Sequence, residues 1–509
     1  MHVRSLKLGA GIVAAAAATV FVFPVSASAD YAPGPKDVVG VGSDTLQALV
    51  DFVADGSYAA DPGFNGTGLK YKFISIDATA DANTRLAYGP GGTNAMGTLL
   101  PTGSGSSTTA TGTPGCGPGT GGGVGTGNAT SQDTASGHFP CVLNPTVVLR
   151  AGVAPEQRPN GSGAGYKLLV ADTNSSGQPL QANSTVGWGL VNFSRASSGQ
   201  NANNANFDSI TVGTDDLAML TASTTNAKPF SIAQLQAIYG CTAQTWNAVP
   251  NAGIASTNTI YAMLPQVGSG TRKQFLLDIG PGGGTQFAPG TCVHNVEEND
   301  PEAISDSGVP ADAIEPMSNT RLNLFKGIAG STGTSINPVG YFNDPSCPFG
   351  PGLSLTIGTG ANTPTQCQGT SQTNAGPAAL NPAVTEQLNA SHASGTASDG
   401  GVTYDDNRNL YIYFRHKDTF SGTNWEPGST TNWVRTMFYN PCTGSGTTYD
   451  QTATTLLTGA AATTAGCQQD DFGNLVGPAG EPYFATPAAQ VDISDAGVKP
   501  TWAYNPASV

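Results

Sequence analysis

The stretch Val267-Gly268-Ser269-Gly270-Thr271-Arg272-Lys273, continued by Gln274-Phe275-Leu276-Leu277, carries most of what this sequence says about itself. A strand-like run, Thr259-Ile260-Tyr261-Ala262-Met263-Leu264, feeds into it. The apolar spacing after Thr271 predicts a helix. Glycines at 268 and 270 predict a tight turn at its start. The first N–H groups of a helix lack partners inside the helix, and the helix dipole is positive there. A turn of this kind is suited to holding an oxyanion. The ordinary alternative is that Ser269 or Thr271 does no more than cap the helix.

Two more turns have the same layout. Asp37-Val38-Val39-Gly40-Val41 reads as a buried strand, Gly42-Ser43-Asp44-Thr45 as a turn, and Leu46 to Ala54 as a helix. Asn160-Gly161-Ser162-Gly163-Ala164-Gly165 precedes a short helical run, Tyr166 to Val170. Ligands on open α/β sheets bind outside the carboxyl ends of strands. Three helix N-termini gathered there would surround a tetrahedral anion with N–H and O–H donors. Arg195, between serines at the end of the strand-like Val191 to Ser198, and Arg272 are the expected charge partners.

Other strands are expected at Tyr71–Ile76, Leu217–Leu220, Leu410–Phe414 and Trp433–Tyr439. Ser231 caps a helix through Tyr239, with Gln234 at the reciprocal position. Strands alternating with helices make the fold class α/β, with open, largely parallel or mixed sheets.

Composition sets the frame. The chain has 509 residues, long enough for two lobes, with 67 glycines and only 11% charged residues. Residues 1–29 have the pattern of a signal peptide: a basic start at His2, Arg4 and Lys7, an apolar run from Leu8 to Phe23, and Ser26-Ala27-Ser28-Ala29 before a cleavage point at Asp30. No cysteine stands at that point, so no lipid anchor is expected, and localisation is read as secreted. The 8 cysteines, Cys116, Cys141, Cys241, Cys292, Cys347, Cys367, Cys442 and Cys467, then favour disulfides; sequence leaves their connectivity open, and sequential pairing, in which each pair brackets a polar loop, is the working expectation. Stretches about 89–137 and 344–374, rich in Gly, Thr and other small polar residues, read as insertions. A net charge of -15 argues against nucleic acid as a partner. Scattered histidines argue against a metal site, and no cofactor is expected.

Enzymatic motifs fail in turn. Thr45 stands where a dinucleotide fingerprint needs its third glycine, and no phosphate loop or nucleophile elbow occurs. The pairs Asp215-Asp216, Glu297-Glu298, Asp405-Asp406 and Asp470-Asp471 read as solvated carboxylates, and Glu298-Asn299-Asp300-Pro301 as a candidate cap.

These residues together resemble the extracytoplasmic phosphate-binding components of ABC transporters, in the branch of high-GC Gram-positive bacteria. The resemblance rests on Val39 to Leu46, Asn160 to Gly165, Asn192 to Ser198, Ser231 to Trp246-Asn247, and Gly268 to Arg272 with Phe275. It covers Asp37 to Ser318 in patches. It implies a two-lobed periplasmic-binding-protein-like fold (type II), with helices on both sheet faces and the ligand in the cleft between lobes. The lobes would be 30–215, 216–404 and a return from 405 to 509. It implies a monomeric carrier with no chemical step, delivering phosphate or a similar oxyanion to an ABC permease. The implied phosphate-binding residues are Ser43, Asp44, Thr45, Ser162, Gly163, Arg195, Ser197, Ser269, Gly270, Thr271 and Arg272.

Two departures from the family stand out. The arginine expected a few residues before the third turn is missing at Leu264-Pro265-Gln266, leaving Arg272 or Arg195 to replace it. The aspartate that takes the proton of hydrogen phosphate falls near Ser197, leaving Asp44 as a substitute. A secreted adhesion or scavenging protein on the same fold, and a phosphatase, are the alternatives.

Overall fold

A computed structural model describes, with short interruptions, residues 33–78, 146–325, 388–390 and 404–505. The signal segment, both Gly-rich insertions, and Cys116, Cys141, Cys347 and Cys367 lie outside the described residues.

The strands, in chain order, are β1 (Val38–Gly42), β2 (Phe73–Ser75), the small pair β3 (Thr146–Val147) and β4 (Glu156–Gln157), β5 (Phe193–Ala196), β6 (Phe207–Ala222), β7 (Tyr261–Pro265), β8 (His294–Val296), β9 (Ala313–Ser318), β10 (Leu388–Ala390) and β11 (Asp406–Arg415). The short hairpins β12 (Gly444–Ser445) with β13 (Thr448–Tyr449) and β14 (Gln468–Gln469) with β15 (Leu475–Val476) follow, and β16 (Lys499–Asn505) ends the series. Ten of them form one curled, open, mixed sheet, in the order β2-β1-β5-β11-β6-β9-β7-β8, with β10 and β16 also paired to β6. Parallel strands stand at both ends: β2, β1 and β5 at one, β9, β7 and β8 at the other.

The middle is antiparallel and depends on β6. The expected strand at Leu217–Leu220 is the second half of a 16-residue strand. Its first half is flanked by β11 and β16, its second half by β9 and β10. Both ladders on the first half slip at the same place: Leu410 faces Gly213 but Tyr411 faces Thr211, and Pro500 faces Gly213 but Ala503 faces Thr211. The strand runs between two cores. Ile210 and Val212 belong to one, with Val38, Phe73, Phe193, Phe414 and the helices Gln47–Asp55 and Pro487–Asp495. Leu217 and Met219 belong to the other, with Leu235, Trp246, Leu264, Phe275 and Ile314. Each half thus buries its own apolar surface, the main favourable term in folding.

Local reasons for the elements are plain in several places. Val38 faces the first core while Val39 and Val41 face a cluster with Ile74, Leu149 and Val191, so β1 is covered on both sides. The Ser231 capping box is present in both directions: Ser231 Oγ accepts from the Gln234 N–H at 3.3 Å, and Gln234 Oε1 accepts from the Ser231 N–H at 3.1 Å. Trp246 stacks on Phe230 and donates its indole N–H to Asp312 at 2.7 Å. The segment expected as a strand at Trp433–Tyr439 is instead a helix, Trp433–Met437. Asn432 decides it, because its side-chain oxygen accepts from the N–H groups of Val434 and Arg435 and so caps a helix. The aromatic and branched residues that suggested a strand pack into the first core from that helix.

Two disulfides are described, Cys241–Cys292 and Cys442–Cys467, both pairing neighbours in sequence. Cys241–Cys292 closes a loop with a sequence separation of 51 that spans the helix Gly270–Asp278. Chain entropy alone makes such a loop worth about 4 kcal/mol. Replacing both cysteines with serine should lower the unfolding free energy by about that amount in denaturant titrations. A loss below about 1 kcal/mol would show that the second half holds its shape without the staple.

Candidate functional site

The three glycine turns meet. Gly42 forms a parallel bridge with Asn160, which brings the first turn to the second. The Gly163 N–H donates to the Gly268 carbonyl at 3.0 Å, which brings the second to the third. Gln266 adds a side-chain bond to Asn160 at 3.0 Å. Gly161 has φ 89°, a left-handed conformation that favours glycine. The contact comes from distant parts of the chain, since β1 and the helix Ser162–Ala171 belong to one end of the sheet and β7 to the other.

Their hydroxyls converge as well. Ser43 Oγ donates to Ser197 Oγ at 3.0 Å, and Ser162 Oγ lies 3.2 Å from Ser197 Oγ. Ser162 Oγ also accepts the Ser197 N–H at 3.0 Å. Gly270 lies against this group so closely that a Cβ on it would stand 2.2 Å from Ser197 Oγ and 2.3 Å from Ser162 Oγ. Thr45 and Thr271 form a second pair of hydroxyls, joined through a guanidinium: Arg408 donates from one terminal nitrogen to Thr271 Oγ1 at 3.1 Å and from the other to Thr45 Oγ1 at 3.4 Å.

Arg408 is a residue that the sequence reading missed. It faces Asp215 across the β11–β6 ladder and makes two bonds to it, Nε at 3.0 Å and the second terminal nitrogen at 2.8 Å. Asp215 in turn accepts from Ser318 Oγ at 2.9 Å. A signal for Arg408 exists in the sequence. It lies in register with Leu410, Ile412 and Phe414 at spacings of two, on the buried face of β11. An arginine on the apolar side of an alternating strand needs a buried partner. Asp215 and Glu298, expected as solvated, are both buried, for the same reason.

Asp44 is fully buried and accepts from Asn299 Nδ2 at 3.1 Å and from Arg321 at 3.5 Å. Asn299 also donates to Thr45 Oγ1 at 3.2 Å and accepts the Ser318 N–H. Glu298 Oε1 accepts the Thr271 N–H at 3.1 Å and the Thr45 hydroxyl at 3.5 Å. Burial first, and then the charge of Asp44, raise the Glu298 carboxyl above the usual carboxylate range, while the bonds from Thr271 and the charge of Arg408 act the other way.

The remaining residues of the sequence expectation have other partners. Ser269 is the cap of its helix, its Oγ accepting the Arg272 N–H at 3.0 Å. Arg272 donates to the Pro265 carbonyl at 2.9 Å and to Asn295 at 2.7 Å. Arg195 is buried behind the first turn, donating to the carbonyls of Ser43, Gly42 and Ile76 and to Ser75 Oγ. It braces that turn, and Asp51 beside it is pushed up to about 7 by burial against the pull of Arg195. The structure therefore brings together Ser43, Asp44, Thr45, Ser162, Ser197, Gly270 and Thr271, and adds Asp215, Glu298, Asn299, Arg321 and Arg408 to them.

No protein-family model matches the sequence, and no curated protein matches it. Similar solved structures are phosphate ABC transporter substrate-binding proteins. One is a putative phosphate ABC transporter substrate-binding protein with bound phosphate from Clostridium perfringens, 18% identical, TM-score 0.22, matched over 26% of this chain and 51% of that one. A second is an ABC-type phosphate transport receptor from Vibrio cholerae, 18% identical, TM-score 0.24, over 32% of this chain and 58% of that one. A third is PstS from Borrelia burgdorferi, 10% identical, TM-score 0.29, over 74% of this chain and 87% of that one. The chain thus spans little more than half the length of the first two. Superpositions this loose transfer neither a ligand nor a residue's role.

Proposed function

We propose that this protein is a secreted solute-binding protein that captures inorganic phosphate between its two halves and delivers it to an ABC-type permease. One observation supports the reading above all. Three glycine turns and the end of β5 bring together two buried groups of hydroxyls, Ser43 with Ser162 and Ser197, and Thr45 with Thr271, beside helix N-termini. Hydroxyls can rotate to donate, helix N-termini carry positive partial charge, and Arg408 supplies positive charge. That is the donor set of an oxyanion receptor.

Asp44 gives the receptor its selectivity in this reading. A buried carboxylate only accepts, and hydrogen phosphate has a proton to give it, whereas sulfate has none. Titration calorimetry with phosphate, sulfate and molybdate tests the whole reading, and absence of heat with all three defeats it. Asp44→Asn should narrow the phosphate-over-sulfate preference by about 100-fold, the worth of one charge-assisted bond against an acceptor clash. Unchanged discrimination in that variant would remove Asp44 from the role.

A further inference from the structure

The strongest donors of the site are already holding an anion, and it belongs to the chain. Glu298 Oε1 sits at the N-terminus of the helix Gly270–Asp278, bonded to the Thr271 N–H at 3.1 Å and to the Thr45 hydroxyl at 3.5 Å. Arg408, within electrostatic reach of it, also donates to both threonine hydroxyls. A carboxylate on a helix N–H, flanked by two hydroxyls and a guanidinium, presents the charge and acceptor pattern of a bound oxyanion.

The local charges point the same way. Arg408 is paired with Asp215, and Arg321 with Asp44. Behind the first turn, Arg195 stands next to Asp51. Arg272 and Lys273 turn their charges toward Asn295 and the Gly199 carbonyl at the edge of the cluster. Glu298 Oε1 is held instead by the Thr271 N–H and the Thr45 hydroxyl. A fully buried carboxylate is costly unless hydrogen bonds and dipoles hold it, and here they do. An incoming anion at the same donors would place a second negative charge beside that carboxylate.

We propose that Glu298 is an internal competitor that occupies the anion site of the empty protein and must give up the Thr271 N–H, by moving or by taking a proton, before an oxyanion can take its place. The proposal rests on the anion-binding reading above. Asn299 fits this arrangement. It anchors the neighbouring backbone to Asp44, Thr45 and Ser318, and it holds a left-handed φ of 57°, which asparagine tolerates better than most residues. The segment is thereby held at the site whichever group fills it. Such a device sets the affinity rather than the specificity, because it taxes every anion alike.

The test is titration of the full chain with inorganic phosphate, comparing the parent protein with Glu298→Gln, which keeps the shape and removes the charge. A carboxylate seated about nine-tenths of the time weakens anion affinity by about tenfold, so the variant should bind phosphate about tenfold more tightly, and sulfate likewise. Glu298→Ala, with the same expectation, serves if glutamine costs the fold, and a thermal melt of each variant checks that. Phosphate binding that is unchanged or weaker in folded variants overturns the competitor role. Weakening confined to phosphate, with sulfate unaffected, would make Glu298 a proton acceptor instead. If the parent and both variants bind no oxyanion, the function proposed above fails and the competitor role with it.

Discussion

Replacing Arg408 with methionine is expected to cost about 3–5 kcal/mol of stability and to abolish anion binding, because removing one partner leaves Asp215 charged and buried without its guanidinium, held by the neutral donors Ser318 and Thr320. Asp215 and Arg408 are at most 3% exposed, so solvent does not soften the loss. The second variant separates fold from function. Arg408→Met with Asp215→Asn removes both charges and should recover most of the stability, since replacing a whole buried pair is often neutral. Binding should remain lost, because the bonds to Thr45 and Thr271 do not return. Denaturant melts read the first quantity and phosphate calorimetry the second. A double variant that folds and binds phosphate as the parent does would remove Arg408 from the site.

Gly270→Ala is expected to cost about 1–3 kcal/mol of stability, as the buried bonds among Ser43, Ser162 and Ser197 are disturbed, and to reduce phosphate affinity by about 100-fold or more, on the scale of a lost pair of charge-assisted hydrogen bonds. Alanine is the better helix former, so the first helical turn gains slightly. Its methyl group would lie 2.2 Å from Ser197 Oγ and 2.3 Å from Ser162 Oγ, which no pair of atoms tolerates. The two serines would have to rotate away from the point on which the site converges. A variant with parental affinity would show that the anion does not use these hydroxyls.

Much of this was legible before any coordinates. Glycine turns and helix caps depend on neighbours in sequence, so the turns at Gly42, Gly161 and Gly268 and the Ser231 capping box follow from local chemistry. Asp44, Thr45, Ser162 and Thr271 could be named because they sit beside those turns. Arg408 and Glu298 could not, because their partners lie far away in the chain: Asp215 and Thr271 for one, Thr45 and Thr271 for the other. The expected guanidinium partners were Arg195 and Arg272, the arginines nearest the turns, and in the fold both hold backbone carbonyls. The strand β6 was read short for a related reason. Asp215-Asp216 looks like a loop until Arg408 is seen opposite. At Trp433 the error was local, since a single capping asparagine outweighed a run of strand-forming side chains.

The strand β6 has one more consequence. It belongs to both cores without a break, so the two halves have no slack between them. Both flanking ladders are out of step at Thr211 to Gly213, inside the half whose core holds Ile210 and Val212.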